Sequence, residues 1–167
     1  MLKWLDEARS LIGTKELPGL ASNPKILHWG SRLGVRVLGI PYTSDATAWC
    51  GLYCAWCVHQ AGLAPPKIAI RAKAWASWGI DAGMTATRPP HGAVAVFERQ
   101  GGGHVGFVES VNRDGTLNIL GGNQGDAVNV RRFGRDRLIA LRWPAGVAVA
   151  NPAPWAGQVA QDTSGEA

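Results

Sequence analysis

The chain has 167 residues, 46% of them apolar and 17% charged. That suits one folded domain with a sizeable core and excludes a disordered or fibrous chain. The net charge of +5 favours an anionic partner without naming one, and three cysteines are too few for a disulfide scaffold.

In chain order, Trp4, Leu5, Ala8, Leu11 and Ile12 recur at helical spacing and predict an amphipathic first helix, ended by Gly13 and Pro18-Gly19. No basic stretch leads into an apolar one here, so no secretory signal is read, and no run reaches transmembrane length. The expectation is synthesis in a reducing cytoplasm, where thiols stay free. Asn23-Pro24 marks the next helix start, an N-cap followed by Pro at the first helical position. Ile26, Leu27 and Leu33 form its apolar face and Gly34 its stop. Residues 35–46 read as a loop. A third helix is expected from about Thr47 through Val58, ending before Gly62; it is apolar nearly all round, which predicts a buried central helix. A short helical piece, Arg71 to Trp78, follows Pro65-Pro66.

From Pro89 onward the period becomes two. Residues 93–97, 104–111, 116–120, 127–133 and 138–142 predict five short strands, with Asp114-Gly115 as a hairpin turn and an antiparallel meander as the arrangement. Residues 144–167 hold three Pro and neither Lys nor Arg, and predict a mostly disordered tail behind a single domain over 1–143. Helices first and strands afterwards give the α+β class.

Cys50, Cys54 and Cys57 share one helix face. Cys54 and Cys57 read as small buried hydrophobes. A metal site lacks a fourth ligand, and a redox pair needs its first cysteine exposed at a helix start, whereas Cys54 lies a turn inside. Cys50 differs. It falls in the first helical turn after Ser44, Asp45 and Thr47, where backbone N–H groups and the helix dipole favour a thiolate and can bind an oxyanion.

A nucleophilic cysteine needs a base. His28 and His59 lie on helices and His91 in a loop, and each reads as a bystander; His104 follows Gly101-Gly-Gly103 and opens a strand. If the hairpin turns on Arg113-Asp114, Val108 pairs with Ile119, Gly106 with Gly121, and His104 with Asn123. Opposed residues share a face with Cβ atoms about 4.5–5.5 Å apart, so this register puts the Asn123 amide beside the imidazole, where it can fix the tautomer. Glu109 and Gln124 then point away. The Gly106–Gly121 pair would leave room for the Cys50 helix. A one-residue slip would exchange Asn123 for Gly122 or Gln124.

Three segments, Tyr42-Thr-Ser-Asp45 with Ala48-Trp-Cys50, then Gly103-His104-Val-Gly-Phe-Val-Glu109, then Leu120-Gly-Gly-Asn-Gln124, together resemble the CHAP-like cysteine amidohydrolases and peptidases of the NlpC-like, papain-related superfamily. The run Trp4, Ala8-Arg-Ser-Leu-Ile-Gly13, Glu16, Pro18-Gly19 and Asn23-Pro24 resembles a phage- and prophage-associated subgroup. The resemblance implies a papain-like core, in which a nucleophile helix packs on an antiparallel sheet of roughly five strands. It also implies peptidoglycan as substrate, Cys50 as nucleophile, His104 as base and Asn123 as orienting residue. Asp45, Trp49, Gln124 and Cys50 itself are the candidates for oxyanion or substrate contact. Gly51-Leu52-Tyr53 after the nucleophile and Pro90-His91-Gly92-Ala93 before the first strand depart from the family's usual Ala-Ala-Phe and Pro-Gly-Asp.

The expected activity is therefore hydrolysis of an amide in the cell-wall stem peptide, as an endopeptidase or an N-acetylmuramoyl-L-alanine amidase. No metal or cofactor is expected, and the protein is expected to act as a monomer on the cell wall or in the periplasm. A holin, a phage tail or a secretion system would deliver it there. The competing readings are a secreted type VI-like amidase effector and a non-catalytic phage module. A nucleic-acid binder rests on charge alone: Arg131, Arg132, Arg135, Arg137 and Arg142 carry no base-reading motif and read as a solvated strand face suited to an anionic envelope. Trp75 and Trp78 could line a groove or dock a short helix on the core, and Trp155 has no role assigned.

Overall fold

A computed structural model describes residues 2–157. Three α-helices precede a six-stranded antiparallel sheet, an α+β arrangement. The helices are α1 (Lys3–Ser10), α2 (Pro24–Leu38) and α3 (Cys50–Gln60), followed by a 3-10 helix over Ala72–Ser77. The strands are β1 (Ile80–Asp81), β2 (Val94–Arg99), β3 (Gly102–Val111), β4 (Leu117–Gly121), β5 (Asn129–Phe133) and β6 (Leu138–Trp143), in the order β1-β6-β2-β3-β4-β5. β1 is the strand absent from the sequence reading. Two exposed residues give no alternation to find, and pairing with β6 alone makes them a strand.

The helices differ from expectation at their ends. α1 stops at Ser10, so Leu11 is buried but Ile12 turns to solvent. Asn23 caps α2 through its side chain, which accepts from the Lys25 N–H, as its Asn-Pro start predicts. Gly34 does break the helix, at φ 80° and ψ 170°, but the chain re-enters helical geometry to Leu38 and ends at left-handed Gly39. The loop therefore begins after the helix, not at residue 35. α3 starts at Cys50 itself rather than near Thr47, with Trp49 at the N-cap position, where its side chain makes no capping hydrogen bond.

The core lies between these helices and the sheet, and α3 is its centre, with every residue from Cys50 to Ala55 buried. The tryptophan bias has a structural reason. Trp4, Trp29, Trp49, Trp75 and Trp143 are buried, and the indole N–H of most of them is tied down. Trp4 donates to Gly92 O, Trp75 to Ala69 O and Trp143 to Val147 O, so each ring fills volume and pins a loop at once. Trp78 donates to Ala64 O and meets Trp75 edge-on at 5.2 Å, which assigns both to docking the 3-10 helix on the core.

Residues 144–157 are not a disordered tail. They return along the sheet, with isolated bridges Pro90–Pro152 and Val111–Trp155 and a fully buried Ala153. Trp155 lies under the guanidinium groups of Arg88 and Arg113, at 5.3 and 4.4 Å from its ring centre. Backbone pairing and ring contacts hold this segment, so its small-residue composition gave no hint of order. Residues 158–167, the rest of the expected tail, lie outside the described residues.

The β3–β4 register carries two irregularities that offset one another. Next to the turn, Val111 pairs with Leu117 and Ser110 with Asn118, one residue away from the predicted count. A bulge at Glu109 restores it, so Val108 pairs with Ile119 and Phe107 with Leu120 as expected. The β3–β4 ladder then ends at the Phe107–Leu120 pair and β4 itself at Gly121, before His104 and Asn123 could oppose one another.

Candidate active site

Cys50 opens α3 and is 5% exposed. The segment leading to it is braced from several sides. Asp45 is buried and its carboxylate accepts the backbone N–H groups of Leu17 and Asn23, at 3.0 and 2.8 Å. Tyr42 donates its hydroxyl to Thr47 O at 2.8 Å. Trp49 is fully buried against Trp29 and donates its indole N–H to Glu16 at 2.8 Å. Asp45 and Trp49, expected as oxyanion or substrate contacts, instead brace the turn that leads into Cys50. Gly51 permits the close seat of α3, because a Cβ there would collide with the carbonyl oxygen of Ala69.

His104 lies in the interior of the sheet on β3, 1% exposed. Its ring stacks nearly parallel on Phe133 at 5.1 Å and sits tilted against Phe97, its β2 cross-strand partner, at 6.4 Å. Its Nε2 lies 2.9 Å from Gln124 Oε1. The Gln124 amide nitrogen donates to Ile119 O, Asn129 O and Asn129 Oδ1 at 2.9–3.1 Å, which aims the amide oxygen at the histidine. An amide oxygen only accepts, so Nε2 carries the proton and Nδ1 is the free base lone pair. Nδ1 is buried with no partner among the described residues.

Asn123 therefore does not occupy the position expected of it. It takes a left-handed backbone, φ 57°, just beyond β4, and among the described residues its side chain makes no hydrogen bond. The turn it makes throws Gln124 back over the strand end, against the simple alternation that pointed Gln124 away. Gly121 makes this return feasible: a Cβ there would run into Gln124 Oε1 and approach His104 Nε2. The Gly121 space thus serves the amide–imidazole contact rather than the α3 helix, while Gly106 accommodates the Ile119 side chain.

Burial dominates the electrostatics. It pushes the Cys50 thiol above its ordinary 9.0, against opposing help from the N–H groups of Val105 and Gly51 and the charge of Arg99. The helix-start effect that favours a thiolate is therefore outweighed at rest. Burial also pushes His104 down from 6.5 to about 4, with the Gln124 hydrogen bond opposing and the Arg99 charge assisting. Both groups are neutral at neutral pH.

Two concavities meet at this point. One holds Cys50 with Ala48, Arg71 and Gly103; the other holds His104 with Gln124, Arg131 and Phe133. Asn123 and Arg99 line both. Arg99 has no counterpart in the sequence reading, although its place beside Gln100-Gly-Gly-Gly103, one residue run before His104, was the available signal.

The remaining candidates are engaged elsewhere. Cys54 and Cys57 are free, fully buried thiols held well above their ordinary range by burial. His28 packs edge-on to Trp56, and His91 joins Arg9 around Glu109 on the bulge. Among the described residues no group of three or more His, Cys, Asp or Glu is arranged to hold a metal ion, and no helix is long and apolar enough to cross a membrane.

Comparison with protein families matches residues 42–123 to the CHAP domain, a span that starts at Tyr42 and contains Cys50, His104 and Asn123. Comparison with curated proteins and with solved structures gives no match.

Proposed function

Residues 42–123 being a CHAP domain, of the papain-like cysteine amidohydrolase and peptidase group, we propose that this protein hydrolyses an amide of the peptidoglycan stem peptide with Cys50 as nucleophile, His104 as base and Gln124 as orienting residue. A CHAP domain supports peptidoglycan amidase or peptidase activity in general. The observation that carries the residue roles is the one-sided engagement of the imidazole. Nε2 is held by Gln124, while Nδ1 is buried, unpartnered and available to a thiol proton.

The thiol and imidazole start neutral, so the proton passes from Cys50 to His104 Nδ1 as sulfur attacks the carbonyl carbon. The open start of α3 presents the Cys50 backbone N–H to the developing oxyanion. His104 then protonates the departing amine, and water cleaves the thioester with His104 again as base. Gln124 keeps the proton on Nε2 throughout and holds the ring in line. Asn123, at the junction of the two concavities, contacts the substrate instead of the base.

The proposed setting is a phage or prophage lysin, endolysin or tail-associated, that acts as a monomer on the cell wall after delivery. The opening run Trp4 to Pro24 supports this setting by resemblance. The function is tested with dye-labelled sacculi. The wild type releases dye and Cys50→Ala, folded by circular dichroism, does not; equal release by both removes Cys50 from the chemistry, and no release by either points to a binding module.

A further inference from the structure

The five arginines between Arg131 and Arg142 separate into two groups. Arg132 pairs with Asp114, Arg135 donates to the carbonyls of Gly115, Ala86 and Thr87, and Arg142 donates to those of Trp78 and Gly79. Arg131 and Arg137 have no side-chain hydrogen bond or ion pair among the described residues, and both line the concavity of about 450 Å³ beside His104. Arg131 shares a face of β5 with Phe133, the ring stacked on His104. Arg99, at the end of β2, likewise has no side-chain hydrogen bond or ion pair among the described residues and lines both halves of the groove. Two carboxylates lie in the same wall, and Glu98 is committed to Lys73, which leaves Asp136 against three guanidinium groups.

Such an excess of unpaired guanidinium beside a reaction centre costs self-repulsion unless an anion fills it. We propose that this wall is a carboxylate subsite, in which Arg99, Arg131 and Arg137 hold an acidic peptide whose free carboxylate lies next to the amide presented to Cys50. The subsite rests on the hydrolase reading above and adds a preference to it. Guanidinium meets a carboxylate through two parallel N–H donors, so it separates a carboxylate from the carboxamide of the same shape, which offers one acceptor and no charge.

Calorimetry on Cys50→Ala, which binds without turnover, tests the subsite with two stem-type peptides that differ only in a free carboxylate or a carboxamide beside the amide bond. The acid form is expected to bind about tenfold more tightly. Arg99→Gln and Arg131→Gln should each bring that ratio towards one and leave carboxamide binding within about twofold. Equal affinities, absence of binding by both peptides, or a ratio that survives both substitutions overturns the subsite. So does tighter binding of a DNA duplex than of either peptide. Hydrolysis of the same peptides by the wild type separates the two claims. No cleavage with the acid preference intact sinks the hydrolase reading and leaves the subsite standing, whereas cleavage without preference does the reverse.

Discussion

Gln124 Oε1 accepts from His104 Nε2 at 2.9 Å, while the nitrogen of the same amide is spent on Ile119 and Asn129. The amide cannot rotate without losing several hydrogen bonds, so it fixes which imidazole nitrogen carries no proton. Gln124→Ala should lower kcat by roughly a hundredfold or more, the scale on which a lost orienting group acts. Asn123→Ala should mainly raise KM. Steady-state kinetics on a soluble stem peptide checks both, and the reverse ranking would return the orienting role to Asn123.

The Gly121 position gives an independent test of the same contact. In Gly121→Ala the new methyl takes the place of the Gln124 amide oxygen, so activity should fall towards that of Gln124→Ala and stability by about 1–3 kcal/mol. Adding Gln124→Ala to Gly121→Ala should restore stability without restoring activity. Additive losses in a double-mutant cycle would show that the two positions are not coupled.

The two buried titratable groups predict distinct pH profiles. His104 is neutral down to about 4, so kcat/KM should stay level from neutral pH to about pH 5 before its acid limb. Cys50 is a thiol at rest, so its alkylation by iodoacetamide should rise from about pH 7 to 9 with no plateau at mildly acidic pH. A plateau there would mean a preformed thiolate–imidazolium pair.

Stability should respond to the same histidine. The unfolded chain takes up its proton near 6.5 and the folded protein only near 4. Stability is therefore complete above 6.5 and falls by roughly 3 kcal/mol as the pH drops through that interval. Urea titrations should show this slope in the wild type, and His104→Gln should lack it.

The last described segment makes a stability prediction. Trp155→Ala removes the ring between Arg88 and Arg113 and should cost about 1–2 kcal/mol, a fall of roughly 2–8 °C in Tm. An unchanged melting curve would show that the ring contacts of Trp155 contribute nothing to stability.

Much of this arrangement was legible in the residues. Periodicity separated the helices from the strands, and the Asp-Gly turn with alternation placed His104 at the start of a strand that in fact begins at Gly102. The polar stretch ahead of Ala48-Trp49-Cys50 marked the helix start at Cys50. The features with no local signal depend on contacts between distant parts of the chain. A bulge at Glu109 offset an extra residue in the turn, and only hydrogen bonding fixes such a pair. The left-handed turn at Asn123 reversed which amide reaches His104, a change no period-two count can register. Trp49 and Asp45 flank the site in sequence but point inward, because Glu16, Leu17 and Asn23 draw them there. Order in residues 144–157 came from contacts with β3 and the loop before β2 rather than from local propensity.

The central claim, amide hydrolysis of peptidoglycan through Cys50 and His104, is tested most directly by mass spectrometry of fragments released from purified sacculi. The wild type should create a new amine and a new carboxylate at one amide bond, and Cys50→Ala and His104→Ala should release none of these fragments. The same fragments from Cys50→Ala at a wild-type rate, or cleavage at a glycosidic bond, would contradict it.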